Sequence, residues 1–242
     1  MSSCGWRYVR SRACVAARRG RWRVAALVLL VAARVAPAQP AADSLTPARQ
    51  TALLRTPAAS FWSAPAPDSA QLVLETSKGT IVVQLVRAWA PHGVDRLVQL
   101  ARAGYFDDSR FYRVVGAFVA QFGLHRDPAI AQRWRTQRVR PDSVRTTNAR
   151  GTLSFAQSSP RDRSTDLFIN LRDNPRLDTL GFAPVGRVVE GMEVADALFF
   201  GYGDMPSSAA PVGNPRRFYG ETNRWLDREY PKLDRIVTVR VR

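Results

Sequence analysis

The sequence predicts a mainly β domain, a barrel or sandwich of short strands, on three observations. Short runs rich in Val, Ile, Leu, Phe and Thr recur between residues 71 and 241, turn residues separate them, and helical periodicity is confined to two short stretches. No internal repeat is present.

Ahead of this domain the composition is different. Arg7, Arg10, Arg12, Arg18, Arg19, Arg21 and Arg23 precede an unbroken apolar run over 24–33, and Ala36-Pro37-Ala38 supplies a small-residue cleavage site. A basic segment, a short apolar core and such a site form the pattern of a cleavable secretory signal over 1–38. Ten apolar residues are too few for a membrane span, which needs roughly 20, so no stable membrane anchor is expected after cleavage. The expected location is outside the cytoplasm, periplasmic or secreted. Arg18-Arg19 leaves a twin-arginine route open, although Gly20-Arg21-Trp22-Arg23 matches that motif poorly. Residues 39–69, with prolines at 40, 47, 57, 65 and 67, are expected to be a linker. Phe61 and Trp62 are the exception, since two large aromatics are expected to pack back onto the domain that follows over 70–242.

That domain opens with a hairpin, Leu72-Val73-Leu74-Glu75-Thr76 and residues 80–86 around Ser77-Lys78-Gly79. Pro91 starts a helix whose apolar face is Val94, Leu97, Val98 and Ala101, and Gly104 ends it. Strand-like segments follow at 111–115, 117–122, 152–156, 167–171 and 184–189, then a second helix over 194–200 stopped by Gly201. The alternation of 236–241 suits a strand with one buried face.

Composition excludes several chemistries. Both cysteines, Cys4 and Cys14, lie in the signal, so the remaining chain has no disulfide and no thiolate metal site. The two histidines, His92 and His125, have no ligand-spaced partners, so no metal is expected. Phosphate-binding glycine loops, nucleophile elbows and dinucleotide fingerprints are missing too, and no cofactor is expected. The net charge of +16 includes eight arginines and no acid in the first 38 residues, which leaves +8 for the rest. A nucleic-acid partner is not expected, because no basic stripe is interleaved with aromatics.

One cluster remains, Phe111-Tyr112-Arg113-Val114-Val115 followed by Phe118-Val119-Ala120-Gln121-Phe122-Gly123. Arg113 lies in an apolar strand, and alternation puts it on one face with Phe111 and Val115. Taken alone, a solvent-facing arginine would explain it equally well. The cluster nevertheless resembles the first signature of the cyclophilin family, F-x-R-[VI]-[VI]-x-G-F-x-x-Q-x-G. Gly151-Thr152-Leu153-Ser154-Phe155-Ala156, with Thr165-Asp166-Leu167-Phe168-Ile169 after a polar loop, resembles the second. Leu177-Asp178 with Gly181-Phe182-Ala183-Pro184-Val185-Gly186-Arg187-Val188 is similar to a third, found in bacterial members. The three motifs occur in order across roughly residues 71–200.

The resemblance implies a closed eight-stranded antiparallel β-barrel capped by two α-helices, with peptide bound on the outer wall because side chains fill a barrel of that size. It also implies a peptidyl-prolyl cis/trans isomerase acting on proline-containing polypeptides, working as a monomer without cofactor or metal. By matching positions, Arg113 is the catalytic donor, and Gln121 orients it or holds the substrate carbonyl. Phe118, Val119, Phe168 and Leu177 form the proline slot, the backbone of Ala156 and Gln157 pairs with the peptide, and Phe111, Asp166 and Phe182 complete the substrate contacts. The chain departs from the family at Gln157, Asp166, Arg176 and Phe182, and at Gly116-Ala117, where an x-Gly pair is usual. Asp166 and Arg176 best support the alternative, a binding module or holdase that grips proline-containing segments with little turnover.

Overall fold

The computed structural model describes residues 45–159, 161–204 and 214–242, and the expected signal over 1–38 lies outside them. Eight antiparallel strands, β1 (Ser69–Thr76), β2 (Gly79–Val86), β3 (Arg113–Val115), β4 (Val119–Phe122), β5 (Thr152–Phe155), β6 (Leu167–Asn170), β7 (Pro184–Glu190) and β8 (Ile236–Val241), form one curled sheet. Their order is β3-β4-β6-β5-β7-β2-β1-β8. Alternation sends one face of the sheet inward: Leu72 and Leu74 of β1, Ile81, Val83 and Leu85 of β2, Ala120 and Phe122 of β4, and Leu167 and Ile169 of β6 all enter one core.

The expected closed barrel is only partly closed. The end strands β3 and β8 do not form a ladder with each other. They meet through the segment before β3, where Arg110 bridges Arg235, Phe111 N donates to Asp234 O at 2.9 Å and Ile236 N donates to Ser109 O at 2.8 Å. Closure is therefore a short splice.

Helix α2 (Pro91–Arg102) buries Val94, Leu97, Val98, Leu100 and Ala101 in the core, as its sequence pattern predicts. The other expected helix is shorter and earlier, α5 (Met192–Asp196), with Ala195 buried.

Residues 45–69 differ from the expected linker. Helix α1 (Pro47–Leu54), capped by the Thr46 side chain, buries Leu53 and Leu54, and a 3-10 turn follows at Ser60–Ser63. The Trp134 indole donates to Leu54 O at 2.8 Å, and the Trp62 ring sits 4.3 Å from it. Ala66 N donates to Asp95 of α2 at 2.8 Å. Phe61 and Trp62 pack on the core, so the aromatics tie the segment down as expected. Proline content obscured the helix because Pro47 sits at the first helical turn, where its missing N–H costs nothing.

A second, smaller core lies beside the first. Helices α3 (Pro128–Trp134), α6 (Pro215–Glu221) and α7 (Asn223–Glu229) contribute Ala131, Phe218, Trp225 and Leu226, which pack with Tyr112 and Leu124. Arg110, almost fully buried, locks α7 to the barrel with paired 2.8 Å bonds to Asp227. A short helix, α4 (Arg176–Thr179), completes the described elements.

Candidate active site

The site grows from the edge of the sheet. Register places Arg113 of β3 directly opposite Gln121 of β4, and Gln121 opposite Phe168 of β6. Because the neighbours Ala120, Leu167 and Ile169 point into the core, the row Arg113, Gln121, Phe168 faces outward. Arg113 Nη1 donates to Gln121 Oε1 at 3.3 Å, its Nε pairs with Asp204, and its guanidinium lies 5.6 Å from the centre of the Phe118 ring.

Gln121 is itself held. Its Nε2 donates to the Tyr112 hydroxyl at 2.9 Å, and that hydroxyl donates to Asp166 Oδ1 at 2.6 Å. The direction of donation is forced, because the phenol gives its one proton to the carboxylate and must accept from the amide nitrogen. The amide oxygen is thereby turned toward Arg113. Burial raises the Tyr112 pKa well above its ordinary value, and the neighbouring Asp166 charge adds to that, so the phenol remains a donor. Burial also raises the Asp166 pKa, against the opposing effect of the Tyr112 hydrogen bond. Gly123 makes the approach possible: at φ +128° it lies where a Cβ would meet Thr165 O at 2.5 Å and Asp166 Cα at 2.6 Å.

Next to this row lies an apolar cluster. Phe168 is 4 % exposed and Val119 2 %, both on the outer face, while Phe118, Leu177 and Phe182 are half-buried around them. The Phe168 and Phe182 rings meet edge to face at 5.7 Å. Phe182 N donates to Leu177 O at 3.1 Å, which closes the loop bearing both side chains. A buried polar network anchors that loop: Asn148 donates to Asp178 Oδ1 at 2.7 Å and to Phe182 O at 2.8 Å, and Asn174 to Asn170 Oδ1 at 2.7 Å.

One expected substrate contact, Phe111, is corrected. Phe111 is 0 % exposed and packs on Phe122 in the core, because β3 begins only at Arg113 and the chain before it passes between the two cores. The carboxylate of Asp166 is bonded to Tyr112, so the departure at this position supports the Tyr112–Gln121 relay. The Ala156 N–H is taken by Asp166 O at 2.8 Å, which leaves that donor unavailable to a peptide. The Gln157 side chain ties down the neighbouring loop, donating to Leu180 O and Gly181 O at 3.3 Å. Arg176 is exposed at the start of α4. Gly116-Ala117 keeps the hairpin turn, with Phe118 N on Val115 O at 3.0 Å, but places Ala117 at φ +52°. That left-handed conformation costs an alanine roughly 1 kcal/mol.

Sequence reasoning missed Tyr112, the asparagine network and Asp204. Only Tyr112 carried a signal, its position beside Arg113 in the motif. Among the described residues no group of three or more histidines, cysteines or carboxylates could hold a metal ion.

Neither histidine enters the site's hydrogen-bond network. His125 is 3 % exposed, lies 5.1 Å from the Tyr105 ring, and accepts from Asp127 N through Nδ1 at 2.8 Å. Burial lowers its pKa to about 4. The unfolded chain binds a proton near pH 6.5 and the folded chain does not, so His125 contributes stability above that pH and loses it as pH falls toward 4. The loss should reach roughly 3 kcal/mol. Thermal midpoints measured from pH 7 to 4.5 should fall, and should fall less in His125→Asn, whose side-chain oxygen can replace the acceptor. Parallel curves for the two proteins would assign the acid sensitivity elsewhere.

Residues 71–212 match the family model described as cyclophilin type peptidyl-prolyl cis-trans isomerase/CLD. The peptidyl-prolyl cis-trans isomerase A of Dickeya dadantii is 35% identical over 136 residues, which cover 54% of this chain and 71% of that protein. A solved cyclophilin-type isomerase of Cryptosporidium parvum superposes with a TM-score of 0.52 at 16% identity, covering 72% of this chain and 98% of that one. The structure of that protein in the presence of the dipeptide Ala-Pro gives a TM-score of 0.50 at 17% identity, covering 71% and 98%.

Proposed function

Because the chain belongs to the cyclophilin-type peptidyl-prolyl cis-trans isomerases, we propose that the apolar surface beside Arg113 binds an X-Pro segment of a polypeptide and accelerates rotation about its peptide bond. The observation that carries this reading is the outward row Arg113, Gln121 and Phe168, with a cation, an oriented amide and a covered aromatic side by side.

The peptide bond resists rotation by about 18–20 kcal/mol because the nitrogen lone pair is delocalised into the carbonyl. Before proline the two isomers differ by only about 0.5–1 kcal/mol, so the barrier is the obstacle. In the twisted transition state the lone pair localises on the prolyl nitrogen, which becomes an acceptor only then. A donor held at that point binds the transition state better than either ground state. Arg113 is that donor. With Nε on Asp204 and Nη1 on Gln121, its Nη2 has no hydrogen-bond partner among the described residues. Phe168, rimmed by Phe118, Leu177 and Phe182, receives the pyrrolidine ring, whose burial contributes roughly 2 kcal/mol.

Measuring cis-to-trans conversion of an Ala-Pro peptide by the full chain tests the reading. A rate above the uncatalysed background supports it, whereas binding at the background rate would leave only a peptide-binding module. The composition of residues 1–38 supports export as the setting, with clients that fold outside the cytoplasm. N-terminal sequencing of the protein from fractionated cells should then find a start near Gln39 in the periplasm or medium. Recovery of the cytoplasmic chain with Met1 intact would overturn this.

A further inference from the structure

The contact between Arg113 and Asp204 joins the outer edge of the sheet to a segment far along the chain. Strand β3 ends the sheet order, so one of its edges has no neighbouring strand. Residues 199–204 lie along that edge. Val114 forms an antiparallel bridge with Gly203, and in that register the next residue, Asp204, falls opposite Arg113. The strap is anchored: Phe199 N donates to the buried Asp234 carboxylate at 2.8 Å, and Gly203 N to Phe200 O at 3.0 Å. Tyr202 packs edge to face between Phe199 at 5.1 Å and Tyr230 at 5.2 Å.

We propose that Asp204 is a positioning residue for Arg113, and this rests on the isomerase reading above. A guanidinium on a long side chain has many orientations, and the neutral, 3.3 Å contact with Gln121 holds only one of its nitrogens. Asp204 adds a charge-assisted bond at Nε, on the other side of the fork. Two contacts at different nitrogens fix the plane of the group, and the nitrogen left over is the one available to the prolyl nitrogen. A carboxylate that competed with substrate would occupy that nitrogen instead. The two roles predict opposite signs: removal of a competitor raises activity, and removal of a support lowers it.

The test uses the full chain with Asp204→Ala and Asp204→Glu, assayed on an Ala-Pro peptide. Asp204→Ala should lower kcat/KM about tenfold, with kcat falling and KM within twofold of wild type, since misalignment of a donor acts on the transition state. Asp204→Glu should restore most of the loss. In an Arg113→Ala background the Asp204→Ala change should have no further effect. Independently of activity, the Nε–H proton resonance of Arg113 should be shifted downfield and slow to exchange in the wild type, and should lose both properties in Asp204→Ala. An unchanged or raised kcat/KM in folded Asp204→Ala overturns the proposal, as does the same loss in the Arg113→Ala background. A wild-type chain without isomerase activity would overturn the function and with it this role, while the Arg113 resonance would still report the pair.

Discussion

Arg113→Ala should lower kcat/KM for an Ala-Pro peptide by on the order of 10²–10³, the loss expected when one preorganised transition-state donor is removed. Lysine should recover only part of it. A compact ammonium cannot bond Asp204, Gln121 and the prolyl nitrogen in one plane as a guanidinium does. The fold should survive, because Arg113 faces outward and Asp204 is half-exposed, and such a pair contributes only about 0.5 kcal/mol. The assay must therefore be read with a circular dichroism melt. Wild-type activity in the variant would sink the assignment, and so would a loss of activity that merely follows unfolding.

Phe168→Ala should act on both substrate affinity and stability. The ring is 4 % exposed and packs edge to face on Phe182, so its removal leaves a cavity and should cost roughly 3–4 kcal/mol in a urea melt. The same cavity removes the bottom of the proline slot, and KM should rise several-fold while Arg113 and Gln121 keep their contact. A variant with normal KM would mean that the pyrrolidine ring binds elsewhere.

How legible each part was depended on how far its causes lie apart in the chain. The hairpin β1–β2, helix α2 and strand β8 were readable because period-2 and period-3.6 patterns are local, and each meets a single core. Helices α3, α6 and α7 have seven residues each, too few for a periodic signal, and they are stabilised by burial against Tyr112 and Leu124. The same second core explains the failure at Phe111. Alternation was extended one step beyond the strand, to a place where Phe111 and Tyr112 are both buried, in different clusters. The row Arg113, Gln121 and Phe168 could be anticipated because the spacing of these residues within the motifs is visible in the sequence. Asp204 was missed because its relation to Arg113 exists only through the bridge between Val114 and Gly203.

The pairing of β1 with β8 also sets an order of events during synthesis. Leu72 meets Val241 and Leu74 meets Val239, so the outer edge of β1 has no partner until the ribosome has added some 160 further residues. Until then, a strand rich in Leu and Val presents open backbone donors and acceptors, the template on which chains aggregate. Completing the sheet joins segments remote in sequence, which makes folding slow for the chain's size. A nascent chain of this design benefits from being kept extended until β8 is available, a condition that transport in an unfolded state would satisfy.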